Sequence, residues 1–146
     1  MEINFYSKDK DWGWMSNFYP SEIVIDEISY PTVEHYYQSK KASDIIVELW
    51  IRNAPTPYLA FKAGRSLKPT FFIGSTDCVK TDWDDIKVDV MKKALKAKFT
   101  QNPYLGKKLI DTGNAVLHEE SPTDIFWGKK GKDMLGKLLM EIRNEI

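Results

Sequence analysis

The 146-residue chain carries 21 basic and 21 acidic side chains, so its formal charge is zero and no global basic field exists to gather nucleic acid. A 42% hydrophobic and 13% aromatic composition fits a compact globular protein, and the length suits one domain, expected over 1–146, that buries roughly 70% of its unfolded surface. The lone cysteine, Cys78, leaves no internal disulfide, and the absence of an apolar leader or an apolar run near ~18 residues points away from secretion and membrane spanning, so a cytoplasmic location is expected.

Glu2 to Tyr6 alternates loosely and predicts a short strand. Ser7 to Pro20, with Trp12-Gly13-Trp14 and Ser16-Asn17-Phe18-Tyr19-Pro20, reads as an irregular ordered loop. Ile23-Val24-Ile25 and Ile28-Ser29-Tyr30 flank Asp26-Glu27 as a hairpin. Pro31 disfavours helical geometry in Tyr30, and Thr32 is a good N-cap, so a helix is expected from Val33. Asp44 can cap a short helix running through Arg52 and stopping near Pro55. Thr56-Pro57 pairs an N-cap with proline at the first helical position and opens a helix to about Ser66. Phe71-Phe72-Ile73-Gly74 is too short to assign.

From Asp84 to Phe99 the spacing of Ile86, Val90, Met91, Ala94, Leu95 and Phe99 makes an apolar stripe, with the lysines expected on the opposite, solvated face. Gln101-Asn102-Pro103 breaks it, and Pro103 to Asp111 reads as another helix ending near Gly113. Ala115-Val116-Leu117 suggests a strand, Ser121 to Lys132 a loop. Leu135, Leu138, Leu139, Ile142 and Ile146 mark a closing amphipathic helix. The expected class is α+β, a helix-rich single domain with a few short strands and too little alternation for a doubly wound sheet.

No dinucleotide loop, phosphate loop or nucleophile elbow is present. His35, His118 and Cys78 make no convincing zinc set, so neither metal nor cofactor is expected. Carboxylates, lysines and aromatics remain, a combination suited to glycosidic chemistry, in which an acid or base acts while cationic character develops on the sugar carbon. In the helix from Val33, Glu34, Gln38 and Lys41 fall at i, i+4 and i+7 on one stripe. Each has an ordinary explanation as well. Glu34 in the first turn is favoured by the helix dipole, by roughly 0.3–1 kcal/mol. Lys41 alone reads as a solvated lysine, about 10 Å along the axis from Glu34. Asp124 can be a loop cap or a second acid beside Trp127. Arg65 after Gly64 can be a helix-end charge or a phosphate ligand. Trp83 can be a packing contact or a stacking platform, and Asn17 can serve its own loop or read hydroxyls.

Several segments together resemble the YbiA-like N-glycosidase family, also called the NADAR domain. They are Met15 to Pro20, Tyr30 to Gln38 with Lys41, Gly64-Arg65, Asp82-Trp83, Met91, Ala94-Leu95, Ala97-Lys98-Phe99, Gln101-Asn102-Pro103, Thr112-Gly113, Ser121 to Gly128, and Leu135-Gly136 through Leu138-Leu139-Met140 with Arg143. They occur in family order and cover nearly the whole chain. Two features depart from the pattern: the loop after Trp127-Gly128 is only Lys129 to Lys132, with Asp133 where asparagine is expected, and Ala42 replaces a phenylalanine after Lys41.

The resemblance implies the YbiA-like fold and cleavage of an N-glycosidic bond to a ribose phosphate. The substrate would be a ribosylamino-pyrimidine phosphate of early riboflavin synthesis or, as an alternative, ADP-ribose on a guanine base; a non-catalytic ADP-ribose or NAD-binding module is a third reading. It implies Lys41 as an amine that forms an imine with the opened ribose, Glu34 as a proton shuttle, and Asp124 as a stabiliser of positive charge or a positioner of water. Asn17, Phe18, Tyr19, Gln38, Gly64, Arg65, Trp83, Trp127 and Gly128 would surround the substrate. The partner is then a small ribose phosphate, with nucleic acid involved only if ADP-ribosylated guanine is the substrate, and a monomer is expected.

Overall fold

The computed structural model describes residues 1–67 and 78–146, so the unassigned segment at Phe71 to Gly74 lies outside the described residues. Helices dominate: α1 (Val33–Lys41), α2 (Ile45–Arg52), α3 (Pro57–Arg65), α4 (Trp83–Gln101), α5 (Pro103–Asp111) and α6 (Met134–Glu145). Among the described residues four short strands accompany them, β1 (Glu2–Phe5), β2 (Ile23–Ile25), β3 (Ile28–Tyr30) and β4 (Val116–Glu119), which confirms the helix-rich α+β class. The chain divides into two compact units, one continuous (Pro20–Ala94) and one discontinuous (Met1–Tyr19 with Leu95–Ile146).

In the continuous unit β2 and β3 pair antiparallel, with Val24 opposite Ser29. Asp26 and Glu27 at the turn both take positive φ, 53° and 68°, the backbone twist that a two-residue hairpin needs. Thr32 caps α1: its Oγ1 accepts the His35 N–H at 3.1 Å. His35 is buried, with Nδ1 2.8 Å from Thr32 Oγ1 and Nε2 3.0 Å from the Ala54 carbonyl. That geometry suits a neutral ring that donates from Nε2 and accepts at Nδ1, and it makes this histidine structural. Asp44 accepts from Ile46 and Val47 at the start of α2, and Thr56 accepts from Leu59 at the start of α3. Helix α1 packs on α2 and α3 around Ala42, Ile51, Ala54, Ala60 and Leu67.

In the discontinuous unit β1 and β4 run parallel, Ile3 opposite Leu117, both buried. This strand covers residues 116 to 119 rather than the expected 115 to 117. Its second half, His118-Glu119, is polar and shows no apolar alternation; pairing with Asn4 and Phe5 makes it a strand. Helix α6 lies against β4 with Leu135, Leu138, Leu139 and Ile142 buried. Arg143 ties this end together, donating to Thr112 Oγ1 at 2.9 Å and to the Ala115 carbonyl at 2.8 Å.

One lysine departs from the expected solvated face of α4. Lys98 is wholly buried, its Nζ donating to the Ser16 carbonyl at 3.0 Å and lying 5.7 Å from the Tyr19 ring and 5.2 Å from the Phe99 ring. A carbonyl and two ring faces offset part of the cost of burying the ammonium. Burial still pulls its pKa down to about 7.

Candidate active site

Three features of the continuous unit bear on function. The first is the polar stripe of α1. Glu34 and Gln38 are both buried, and Gln38 Nε2 donates to Glu34 Oε2 at 3.4 Å. The amide is held from behind by Gly64 of α3: a Cβ built there would lie 1.8 Å from Gln38 Oε1 and 2.5 Å from its Cδ. A larger residue at this point of contact between α1 and α3 would have to push the Gln38 amide aside. Gln38 Oε1 is buried with no hydrogen-bond donor, facing the Gly64 α-carbon. Gly64 and Gln38, expected beside the substrate, thus also form a clamp on the Glu34 carboxylate.

The second feature is a cleft of about 470 Å³ where Lys41 ends α1. Tyr37 and Lys41 line it from α1, Trp83 and Lys87 from α4, and Lys80 and Thr81 from the segment just before α4. Tyr37 and Lys41 are four residues apart on one helix, as are Trp83 and Lys87 on the other, so each helix presents an aromatic and an amine on the same face. The two rings meet at 5.0 Å between centroids, tilted by 58°. Backbone bonds fix the corner: Ser43 N–H donates to the Cys78 carbonyl at 2.7 Å and Lys80 N–H to the Lys41 carbonyl at 2.9 Å, flanking a bridge between Ala42 and Val79. Trp83 is thus a buried packing partner of Tyr37 and also lines the cleft. Glu34 and Gln38 are not among the residues lining this cleft; both are buried, Glu34 near the start of the helix and Gln38 between it and Lys41.

The third feature is Arg65. It is exposed at the end of α3, its guanidinium 5.4 Å from the Phe61 ring centre, and it is not part of the cleft wall.

The remaining expected residues sit in the discontinuous unit. Asn17 is buried, while Phe18 and Tyr19 are half-buried, beside the Ser16 carbonyl that Lys98 holds. Asp124 Oδ1 accepts the backbone N–H groups of Phe126 at 2.9 Å and Trp127 at 2.8 Å, so this carboxylate is the cap of its loop. Trp127 is buried against Phe126, with ring centres 4.8 Å apart at 80°. Gly128 is needed where it stands, because a Cβ would lie 2.5 Å from the Asp124 carbonyl oxygen. The short loop that follows closes on itself: Lys132 N–H donates to Ile125 and Asp133 N–H to Gly128. Asp133 adopts φ 56°, a left-handed backbone that asparagine and aspartate tolerate better than most residues. His118 sits between Asp133 and Glu2 and holds β4 to its neighbours, a structural placement.

Tyr37, Lys80, Thr81 and Lys87 were not among the expected site residues. The Tyr37/Lys41 and Trp83/Lys87 spacings could have pointed to two of them, whereas Lys80 and Thr81 carry no periodic signal. Among the described residues, no cluster of three or more His, Cys, Asp or Glu side chains could hold a metal ion, and no helix is long and apolar enough to cross a membrane.

Comparison with known proteins gives a consistent picture. The family model for the NADAR domain matches residues 4–146. N-glycosidase YbiA of Escherichia coli is 39% identical over 149 residues, covering 99% of this chain and 88% of that protein. Riboflavin biosynthesis protein PYRR, chloroplastic, of Zea mays is 40% identical over 161 residues; the match takes in 99% of this chain but 25% of the maize protein, so the chain spans about a quarter of that relative. The NMR structure of the E. coli protein YbiA aligns with a TM-score of 0.84 at 38% identity, over 99% of this chain and 86% of that one.

Proposed function

The chain belongs to the NADAR domain family, and from that premise we propose that it is an N-glycosidase that hydrolyses the bond between a ribose phosphate and the exocyclic amine of a base. The observation that carries this reading is the identity of 39% to a protein named N-glycosidase, extending over almost all of both chains. Residues 1–146 act as a single domain in this reading, and the preferred substrate is a ribosylamino-pyrimidine phosphate, in keeping with the riboflavin biosynthesis name of the maize relative.

The chemistry assigned to α1 runs in two stages. Glu34 delivers a proton to the ring oxygen of the ribose, the ring opens, and the Lys41 amine adds at the anomeric carbon. The base departs as its amine, taking the proton that Lys41 gives up, and an imine joins Lys41 to the opened sugar. Water then adds to the imine carbon, Glu34 moves the proton between water and nitrogen, and ribose 5-phosphate leaves with Lys41 restored. The clamp of Gln38 and Gly64 supports the Glu34 role by fixing which way its carboxylate faces. Tyr37 and Trp83 supply apolar ring surface for the base or sugar beside Lys41. Asp124, by accepting from the Phe126 and Trp127 N–H groups, acts through the shape of its own loop. Arg65 remains a candidate for an outer phosphate contact.

Release of ribose 5-phosphate from a ribosylaminopyrimidine 5′-phosphate is the test. Turnover supports the reading, and no release at high enzyme concentration overturns it. Parallel assay of ADP-ribosylated guanosine decides the alternative, which the zero net charge of the chain disfavours for a nucleic-acid substrate. Borohydride trapping should leave a reduced sugar adduct on Lys41; an active enzyme that cannot be trapped would instead favour direct attack by water.

A further inference from the structure

Helix α2 is apolar on two opposite faces. Six of its eight residues are hydrophobic, Ile45, Ile46, Val47, Leu49, Trp50 and Ile51, and its charges are Glu48 and Arg52. Ile51, fully buried, and Val47 turn inward and pack with Ala42, Ala54, Ala60 and Leu67. The other four turn outward: Ile45, Ile46, Leu49 and Trp50 are 64%, 73%, 38% and 54% exposed. At about 100° per residue they form two adjacent ridges, Ile45 with Leu49 and Ile46 with Trp50, roughly opposite Val47 and Ile51. A helix that is hydrophobic all round belongs inside a core, yet this one lies at the surface. The inward contacts of the unit make no use of its outward residues.

A lipid partner fits this face poorly. A helix of eight residues spans about 12 Å, far short of a bilayer. A helix lying on an anionic lipid surface carries lysines and arginines along its polar side. Helix α2 has one base and one acid there, and the acid already accepts from Lys40 Nζ at 3.0 Å.

We propose that the outward face of α2 is the contact surface of a homodimer, with α2 of one copy laid antiparallel on α2 of the other across a two-fold axis. Area and self-complementarity single out a second copy. At those exposures the four side chains offer roughly 450 Å² per copy, so two copies bury roughly 900 Å² before any flanking residue is counted, close to the ~1,000 Å² of a specific interface. A two-fold contact also needs a patch that matches itself. The i, i+4 ridges of one helix interlock with the same ridges of an antiparallel copy. Glu48 and Arg52 share one edge of the face, and their order reverses in that copy, so the base of one edge meets the acid of the other. The surface belongs to the continuous unit alone and does not depend on the glycosidase reading. It sets a dimer against the monomer expected from the sequence.

Sedimentation equilibrium of the full chain, from micromolar to millimolar concentration, is the test, with concentration-dependent amide shifts to locate the contact. Wild type should form a reversible dimer with a dissociation constant of about 10–100 μM, the weak end expected of so small an interface. Ile46→Glu, which places like charges in an apolar contact, and Trp50→Gln should each raise that constant at least about tenfold. Tyr104→Gln, which replaces an exposed aromatic of the other unit, should leave it unchanged. All three positions are exposed, so the unfolding midpoints of the monomers should stay near wild type. Shifts that move with concentration should cluster in α2. The proposal is overturned if wild type stays monomeric throughout, or if Ile46→Glu and Trp50→Gln dimerise as wild type does, which would put the contact on another face. A monomer whose α2 signals move only when phosphatidylcholine vesicles are added would give the face to a lipid surface and overturn the dimer as well.

Discussion

Glu34→Gln keeps the length of the side chain and removes the titratable oxygen, so it separates proton transfer from packing. It should lower kcat by roughly a hundred- to ten-thousand-fold, the usual range for a general acid or base, with the unfolding midpoint little changed. Lys41→Ala should fall as far and abolish the borohydride adduct. If either variant simply unfolds, the residue is structural and its catalytic assignment fails. Gly64→Ala probes the clamp. Its new methyl would meet the Gln38 amide at 1.8 Å, so the amide must leave Glu34 or α3 must shift. A destabilisation of about 1–3 kcal/mol is expected, with a loss of kcat beyond what that instability explains. Urea unfolding and steady-state kinetics on the same sample decide this, and a variant with wild-type kcat would show that Gln38 has no bearing on Glu34. At this scale the sequence was informative about residue type and less so about surroundings. The spacing of Glu34, Gln38 and Lys41 was visible, but Gly64 pressing on Gln38 joins residues 26 positions apart, and no local pattern records such a contact.

Helix α1 owes its start to Thr32, which serves two partners at once: its hydroxyl oxygen accepts the His35 N–H, and the same group meets His35 Nδ1. Thr32→Ala should therefore cost about 1–2 kcal/mol or more, at the upper end for an N-cap, because a buried ring nitrogen loses its partner as well. Thr32→Ser, which keeps the hydroxyl, should recover most of that loss in thermal or urea unfolding; failure to recover would mean that the methyl, not the cap, matters. Legibility was greatest at this scale. Thr32, Asp44 and Thr56 each announce a helix by a side chain that accepts from the first turn, and all three caps form. Helix α4 shows where local reading stops. Its apolar stripe set its extent to within two residues at each end, and Lys98, at i+7 from Met91 and i+4 from Ala94, falls on that stripe, so a lysine is buried where the pattern calls for an apolar residue. What draws it inward is the Ser16 carbonyl, 82 residues away in sequence.

Two buried bases shape how the whole molecule responds to pH, and their signs can be worked out. Burial lowers the pKa of His35. As pH falls below the ordinary histidine value near 6.5, the unfolded chain gains a proton that the folded chain resists, so stability drops in that window. Lys98, with its pKa at about 7 in the folded state, acts on the alkaline side. Between about pH 7 and the ordinary lysine value the unfolded chain holds a proton that the folded chain has released, so this group makes stability rise with pH there. Lys98→Met should flatten that rise in urea unfolding series from pH 7 to 10; an unchanged slope would show that Lys98 does not titrate in this range. The candidate site divides along similar lines. The Tyr37/Lys41 and Trp83/Lys87 spacings were present in the sequence, while their convergence on one cleft depends on the backbone bonds that bring Lys80 beside Lys41.

The pairing of β1 with β4 also sets a timetable. Glu2–Phe5 leaves the ribosome well before the strand it pairs with, which begins at Val116, roughly ten seconds later at ordinary rates of synthesis. Pro20–Ala94 is complete well before then, so it can collapse on the nascent chain while the opening strand waits, an unpaired edge in need of protection. Codons that slow translation between residues 95 and 119 should prolong that exposure, and a chaperone that shields Ile3 and Phe5 would be most useful in that interval.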